Sequence, residues 1–377
     1  MKFKGNTASQ VVKVFSIFFG TVIGAGFASG REIYVYFARF GIYGLVMSIL
    51  VGLYFFYLGY IFLQLGSKTK ANTISDFLKA IFGKFDKIAE IIIIFSYIIV
   101  LSAMFAGFDS LQKILFSNQK LFPFIAIISA VLCSFVVLGG LKNISKINFA
   151  IIPLLVIFMF TIFFFALINC EQNLDYLYEF DVSFTIPLFC SFIFICSNMF
   201  LTGFILLKTG NETNKKVNLI ASFLTGFIIG LLEFLACLAI LKNPTCIQYD
   251  MPFMFLAQKI SDGFVLLSVI ILWFAIFTTA VATLYTVSWW LNSYIKDRYI
   301  CSCVTCFVSF ALSRVGFSAI IGILYPLTGF MDVLFVVFSL IYYYKLEYNN
   351  KIKKFYNYHL RHDKKLKFLE NDLKIKE

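Results

Sequence analysis

Charge is scarce in this chain: Lys, Arg, Asp and Glu make up 14 % of 377 residues, against 60 % hydrophobic residues. That leaves too little polar surface to face water on all sides, which excludes a soluble domain and implies a polytopic membrane protein. Histidine is scarcer still. Its two copies, His359 and His362, both lie in the terminal tail, which excludes histidine-based catalysis or metal ligation within the membrane. The nine cysteines fall mostly inside apolar runs, where a thiol behaves as a small hydrophobe. Their single cluster, Cys301, Cys303 and Cys306, has no nearby His or second Cys pair, which argues against a metal centre. The phosphate-cradling string Gly-x-x-x-x-Gly-Lys-Ser/Thr is missing, and no nucleophile–base pair is evident, so neither an ATPase nor another enzyme is expected. No apolar run carries the polar stripe of an ion channel or the arginine ladder of a voltage sensor.

What the chain does have is apolar runs long enough to cross a bilayer, which takes ~20 residues at ~1.5 Å each. Ten spans are predicted, at roughly 10–38, 42–65, 87–116, 121–140, 145–169, 184–207, 216–241, 264–295, 299–314 and 326–344. The first run follows Lys2, Lys4 and Lys13 like a signal peptide, but it continues past the small residues Gly24–Gly26, so no cleavage is expected. Basic residues alternate between the connections. One side holds Lys68, Lys70, Lys79, Lys84, Lys87, Lys142, Lys146, Lys208, Lys215, Lys216, Lys296 and Arg298, together with Lys2, Lys4, Lys13 and the tail. The other has only Arg31, Arg39, Lys113, Lys120, Lys242, Lys259 and Arg314, and its connection after span five is acidic (Glu171, Asp175, Glu179, Asp181). The positive-inside rule then puts both termini in the cytoplasm of a cell (inner or plasma) membrane. This distribution accounts for the net charge of +12 without a nucleic-acid partner. A membrane domain is thus expected over 1–344 and a basic cytoplasmic tail over 345–377, solvated or touching anionic lipid.

Five spans in each half, about 10–169 and 184–344, force the second half to be inverted relative to the first, the geometry of inverted-repeat transporters. Span one contains Gly20-Thr-Val-Ile-Gly-Ala-Gly-Phe-Ala-Ser-Gly30. Glycine costs a helix roughly 1 kcal/mol against alanine, so this cluster favours a break at mid-membrane, with carbonyls free on one side and amides on the other. Close helix packing through small residues is the alternative. By the same repeat logic span six is expected to be interrupted near Cys196-Ser197-Asn198.

The string Gly20–Glu32, followed by Phe37 and Phe40-Gly41, resembles the first span of the YkvI-like membrane proteins. Gly322-Ile-Leu-Tyr-Pro-Leu-Thr-Gly329 resembles that family's approach to span ten. The resemblance covers Val11–Tyr344 and implies the amino acid–polyamine–organocation superfamily. Its LeuT-type fold is all-α, with ten transmembrane helices in a five-plus-five inverted repeat and broken helices one and six. It also implies secondary transport by alternating access, of an amino acid or related amine, with sodium or a proton as coupling ion and no other cofactor. The alternative is a non-transporting nutrient receptor using the same pocket.

Mapped residue by residue, the resemblance puts the small-molecule substrate against Gly24, Ala25, Gly26, Phe27, Ala28, Ser197 and Asn198, with Tyr97 on span three also facing the cavity. A coupling ion is expected among Thr21, Val22 and Gly24 and the span-eight hydroxyls Thr278, Thr279 and Thr283, whose oxygens suit a hard monovalent cation. Threonines that bond back to their own helix are the alternative. Ionisable residues within spans are costly in lipid and therefore functional candidates. Glu32 is expected to gate the outer vestibule or pair with Arg31, and Glu233 to carry a coupling proton or serve as hydrogen-bonded structure. Asp109 and Asp332 are the other carboxylates inside spans.

Overall fold

The computed structural model describes residues 6–69, 74–116, 122–138, 141–171 and 183–374, and these are helices joined by short connections, with no strand among them. Helix α1 (Thr7–Val22) starts where the Asn6 side chain accepts a hydrogen bond from the Ser9 amide at 3.0 Å. It stops at Ile23, whose φ of −82° and ψ of 86° let the Gly24 amide fold back onto the Val22 carbonyl at 3.0 Å, an inverse γ-turn. Two short helices follow, α2 (Ala25–Ser29) and α3 (Arg31–Tyr36). They meet at Gly30, which holds φ 85°, a left-handed conformation that glycine adopts without penalty. The span-one break read from the glycine cluster is therefore present, and a second one lies six residues on.

The chain continues through α4 (Gly41–Thr69), α5 (Ile74–Phe82), α6 (Asp86–Phe116), α7 (Phe124–Leu138) and α8 (Leu141–Ile168). Then come α9 (Thr185–Gly210), α10 (Lys215–Lys242), α11 (Pro252–Gln258), α12 (Asp262–Ile295) and α13 (Arg298–Ser313). A short α14 (Phe317–Ala319) leads through a π-helical turn, Ile320–Leu324, into α15 (Tyr325–Lys374). Seven stretches among the described residues are long and apolar enough to cross a membrane: Arg31–Thr69, Ser75–Phe116, Ile151–Ile168, Thr185–Gly210, Lys215–Lys242, Gly263–Asn292 and Phe317–Asn349. Three apolar helices are shorter: α1, α7 and α13. At ~1.5 Å per residue these three reach only about 24 Å against the ~30 Å of a hydrocarbon core. The ten predicted spans fall on these seven and three stretches. This is a multi-pass membrane protein.

One expectation is overturned. Span six is not interrupted: α9 runs unbroken from Thr185 to Gly210, through Cys196, Ser197 and Asn198. No glycine lies between Thr185 and Thr202 to weaken it, and Pro187 sits in its first turn, where no helical amide is lost. The Asn198 side chain donates to the Phe194 carbonyl at 3.0 Å and Ser191 to that of Leu188 at 2.8 Å, so these polar groups bond to the continuous helix.

Helix α4 lies against α9 and α10 along much of its length. A Cβ on Gly52 would come within 2.7 Å of the Gly226 carbonyl oxygen and 3.0 Å of the Gly230 Cα, so α4 and α10 meet backbone to backbone there. Ion pairs lie towards the two ends of the bundle. At one, Asp109 pairs with Lys113 at 3.0 Å and Arg314 at 3.1 Å, and Glu171 pairs with Lys259. Burial pushes the Glu171 carboxyl up, but hydrogen bonds from Lys259 and Thr245 outweigh it and hold this group below the usual glutamate range. At the other end Lys68 pairs with Glu347, and Lys87 with Glu90 at 2.9 Å. Lys2, Lys4, Lys70, Lys120, Asp175, Glu179 and Asp181 lie outside the described residues.

Candidate functional site

The break between α1 and α2 rests against α12. There the Thr279 hydroxyl donates to the Ile23 carbonyl at 3.4 Å, and a Cβ on Gly24 would stand 3.2 Å from the Thr279 methyl. A side chain at this position would press on Thr279, which would have to give by a few tenths of an ångström. The other hydroxyls of the expected ion set bond within their own helices. Thr21 donates to Ile17 and Phe18 carbonyls, both at 2.9 Å, Thr278 to Ala275 at 3.0 Å, and Thr283 to Thr279 at 2.8 Å. The Val22 carbonyl accepts from the Gly24 amide, and the Gly24 carbonyl from the Ala28 amide at 2.9 Å. Of the expected set, Gly24 and Thr279 thus come into contact across the break, with Ile23, which sequence reasoning did not single out, supplying the carbonyl between them.

Beyond the break, α3, α6, α9 and α15 enclose a cavity of about 20 Å³. Glu32 and Tyr36 enter from α3, Ser96 and Val100 from α6, Phe194, Ser197, Asn198, Phe200 and Leu201 from α9, and Tyr325, Thr328 and Asp332 from α15. That volume holds about one water-sized group. Its walls are rich in unused hydrogen-bonding atoms. The Tyr36 and Tyr325 hydroxyls are buried with no partner among the described residues, and Ser197 Oγ and the Asp332 carboxyl are buried beside each other. A buried polar atom without a partner costs roughly 1–3 kcal/mol, and clusters of them mark sites that receive something.

Glu32 is held in place by what lies across from it. A Cβ on Gly26 would overlap its carboxyl group, so the glycine leaves the room in which this side chain rests. Arg31 does not pair with Glu32: its guanidinium donates to the Ile247 carbonyl at 3.3 Å and lies over the Tyr34 ring. Phe27 and Ala28 are buried core residues, and Ala25 opens α2. Tyr97 does not line the cavity. It braces α6 to α9 by donating to the Phe200 and Leu201 carbonyls at 3.2 and 2.9 Å. Glu233 on α10 is fully buried, with neither oxygen hydrogen-bonded among the described residues. The structure thus brings Glu32, Ser197 and Asn198 to one cavity, and adds Tyr36, Tyr325, Thr328 and Asp332 to them. Tyr325 and Thr328 stand within the Gly322–Gly329 string, directly after the π-helical turn, a feature often found at functional sites.

No protein-family model matches the chain. It is 24 % identical over 341 residues to the uncharacterized membrane protein YkvI of Bacillus subtilis (strain 168), covering 88 % of this chain and 94 % of the relative. It is 27 % identical over 331 residues to the uncharacterized protein YyaD of the same organism, covering 86 % and 94 %. The likeness to YkvI-like proteins seen in the glycine motif therefore extends along nearly the whole chain. Among solved structures, the fold is similar to that of MhsT in complex with L-phenylalanine, with a TM-score of 0.64, 14 % identity, and 88 % and 87 % of the two chains covered. It is also similar to Mhp1, a nucleobase-cation-symport-1 family transporter with bromovinylhydantoin bound (TM-score 0.56, 13 % identity, 84 % and 74 % covered). A third likeness is to a Na⁺-coupled sialic acid symporter in a substrate-bound outward-open state (TM-score 0.56, 15 % identity, 85 % and 76 % covered). At these identities the likeness establishes a shared fold.

Proposed function

We propose that the protein is a secondary transporter that moves a small polar organic solute across the membrane by alternating access, coupled to a monovalent cation. The observation that carries this reading is the interrupted first helix, pressed against Thr279 on one side and opening beyond the break towards a buried polar cavity. Backbone groups released at the break are tolerated in a membrane only where protein or a polar site meets them. The fold shared with MhsT in complex with L-phenylalanine, a nucleobase-cation-symport-1 family transporter with bromovinylhydantoin bound and a Na⁺-coupled sialic acid symporter supports the same reading. On it, the ten apolar helices cross the bilayer as two inverted sets of five. The solute lies against α2, α3 and α9, and the Ile23 carbonyl and Thr279 hydroxyl are the first two ligands of sodium, completed by neighbouring carbonyls as α1 and α12 adjust. Glu233, fully buried on α10, is the proton-carrying alternative to sodium.

Counterflow and uptake in liposomes containing the purified protein test this directly. Solute uptake is expected to depend on a sodium gradient, and Thr279→Ala is expected to raise the sodium concentration for half-maximal uptake by about tenfold, the effect of losing one ligand at roughly 1.4 kcal/mol. Sodium-independent uptake that follows a proton gradient and disappears in Glu233→Gln would move the coupling to Glu233. Ligand binding without any flux would replace the transporter by a receptor.

A further inference from the structure

The cavity between α3 and α15 brings two buried carboxyl groups together with no cationic side chain in its walls. Glu32 and Asp332 are 7 % and 3 % exposed, and both line a space of about 20 Å³. No Lys, Arg or His lines it. The guanidinium groups of Arg31 and Arg39 are turned elsewhere, Arg31 to the Ile247 carbonyl and Arg39 to the Phe40 ring and the Cys190 sulfur, at 3.7 Å from the latter. Asp332 Oδ1 and the Tyr36 and Tyr325 hydroxyls stand around the same space with no other partner among the described residues, Ser197 Oγ stands beside the Asp332 carboxyl, and both tyrosines are more than nine-tenths buried. All four can accept a hydrogen bond. The missing Cβ of Gly26 leaves the Glu32 carboxyl its place at this wall.

We propose that this cavity receives the ammonium head group of an organic amine, held between the carboxylates of Glu32 and Asp332. The inference rests on reading this cavity as the solute site and narrows the solute class. Buried carboxylates are tolerated when paired with a cation, and here the protein supplies none. An ammonium group carries three donors and one positive charge, which match acceptors on α3, α9 and α15. A zwitterionic amino acid would bring a third carboxylate into a site that already has two and no cationic side chain to meet it. The volume suits the head group alone, so the alkyl remainder enters as α3 and α15 part. Inorganic ammonium or sodium shares this chemistry and is the competing source of positive charge.

The test is thermal stabilisation of the purified full-length protein at fixed ionic strength. The ligands are n-butylamine and 1,4-diaminobutane, their uncharged counterpart n-butanol, the zwitterion leucine, and ammonium or sodium chloride alone. The amines are expected to stabilise and the alcohol and leucine not to. Asp332→Asn is expected to weaken amine binding at least about tenfold while the unliganded protein melts at the same temperature or higher, because a lone buried carboxylate is removed. Should that variant not fold, Ser197→Ala and Tyr325→Phe each remove one acceptor and are expected to weaken the amine several-fold. Stabilisation by leucine but not by amines overturns the proposal, as does stabilisation by the inorganic cations that amines neither add to nor displace. In liposomes the two readings separate. Leucine uptake would leave the transporter standing without the amine site, and amine binding without diaminobutane uptake would leave the amine site without the transporter.

Discussion

A methyl group on Gly26 would overlap the Glu32 carboxyl, while the atoms it meets are the far end of a flexible side chain. The chain can therefore accept Gly26→Ala by swinging Glu32 away, at little cost in stability but with loss of its position at the cavity. Gly26→Ala is expected to lower the melting temperature only slightly and to weaken solute binding about as much as Glu32→Gln does. The two changes together should be little worse than either alone, because they act through one group. Additive losses, measured by titrating solute against the single and double variants, would show that Gly26 serves the helix and not the carboxylate. At this scale the sequence was partly legible. Ser197 and Asn198 stood out because the repeat and the family resemblance put them at the expected break of span six, and Glu32 because ionisable groups are costly in lipid. Asp332 stood out for the same reason but could not be assigned a partner, since which residues face each other across α3 and α15 depends on helix rotation. Tyr36 and Tyr325 carried no such signal, because aromatic residues are everywhere in this chain and only tertiary packing separates two cavity tyrosines from the rest.

Among the elements, the first helix broke where its glycines indicated, and α9 did not break where symmetry of the repeats suggested it should. The difference is local chemistry: span one has Gly24, Gly26 and Gly30 in succession, whereas α9 meets the same depth with Cys196, Ser197 and Asn198, and Asn198 donates to its own helix. Repeat logic does not specify how each backbone behaves inside its elements. The close packing of α4 on α10 gives a firmer test of element-level reasoning. Around Gly52 the neighbouring atoms are backbone of Gly226 and Gly230, which cannot move aside as a side chain does. Gly52→Ala is expected to push the two helices apart and destabilise the protein by about 1–3 kcal/mol, the usual cost of overpacking. Thermal unfolding in detergent measures it, and an unchanged melting temperature would mean that the α4–α10 contact is looser than backbone-to-backbone packing.

For the whole molecule, charge supplies the argument that hydrophobicity cannot, since apolar helices alone do not say which end faces the cytoplasm. The end bearing Lys113, Lys259 and Arg314 has each of these cations matched by an acid, Asp109 or Glu171. The opposite connections carry Lys68, Lys79, Lys84, Lys87, Lys208, Lys215, Lys216, Lys296 and Arg298, more Lys and Arg than the first end has. An excess of Lys and Arg in short connections stays on the cytoplasmic side during insertion. On this rule the exposed Asp250 region between α10 and α11 is expected to face outwards and the end of α15 to face the cytoplasm. An epitope inserted after Asp250 is therefore expected to bind antibody on intact cells, and one appended after Glu377 only once the membrane is permeabilised. The reverse pattern would put the acidic connection inside and invert the orientation assigned to every helix, including which side of the membrane the cavity between α3 and α15 opens to first.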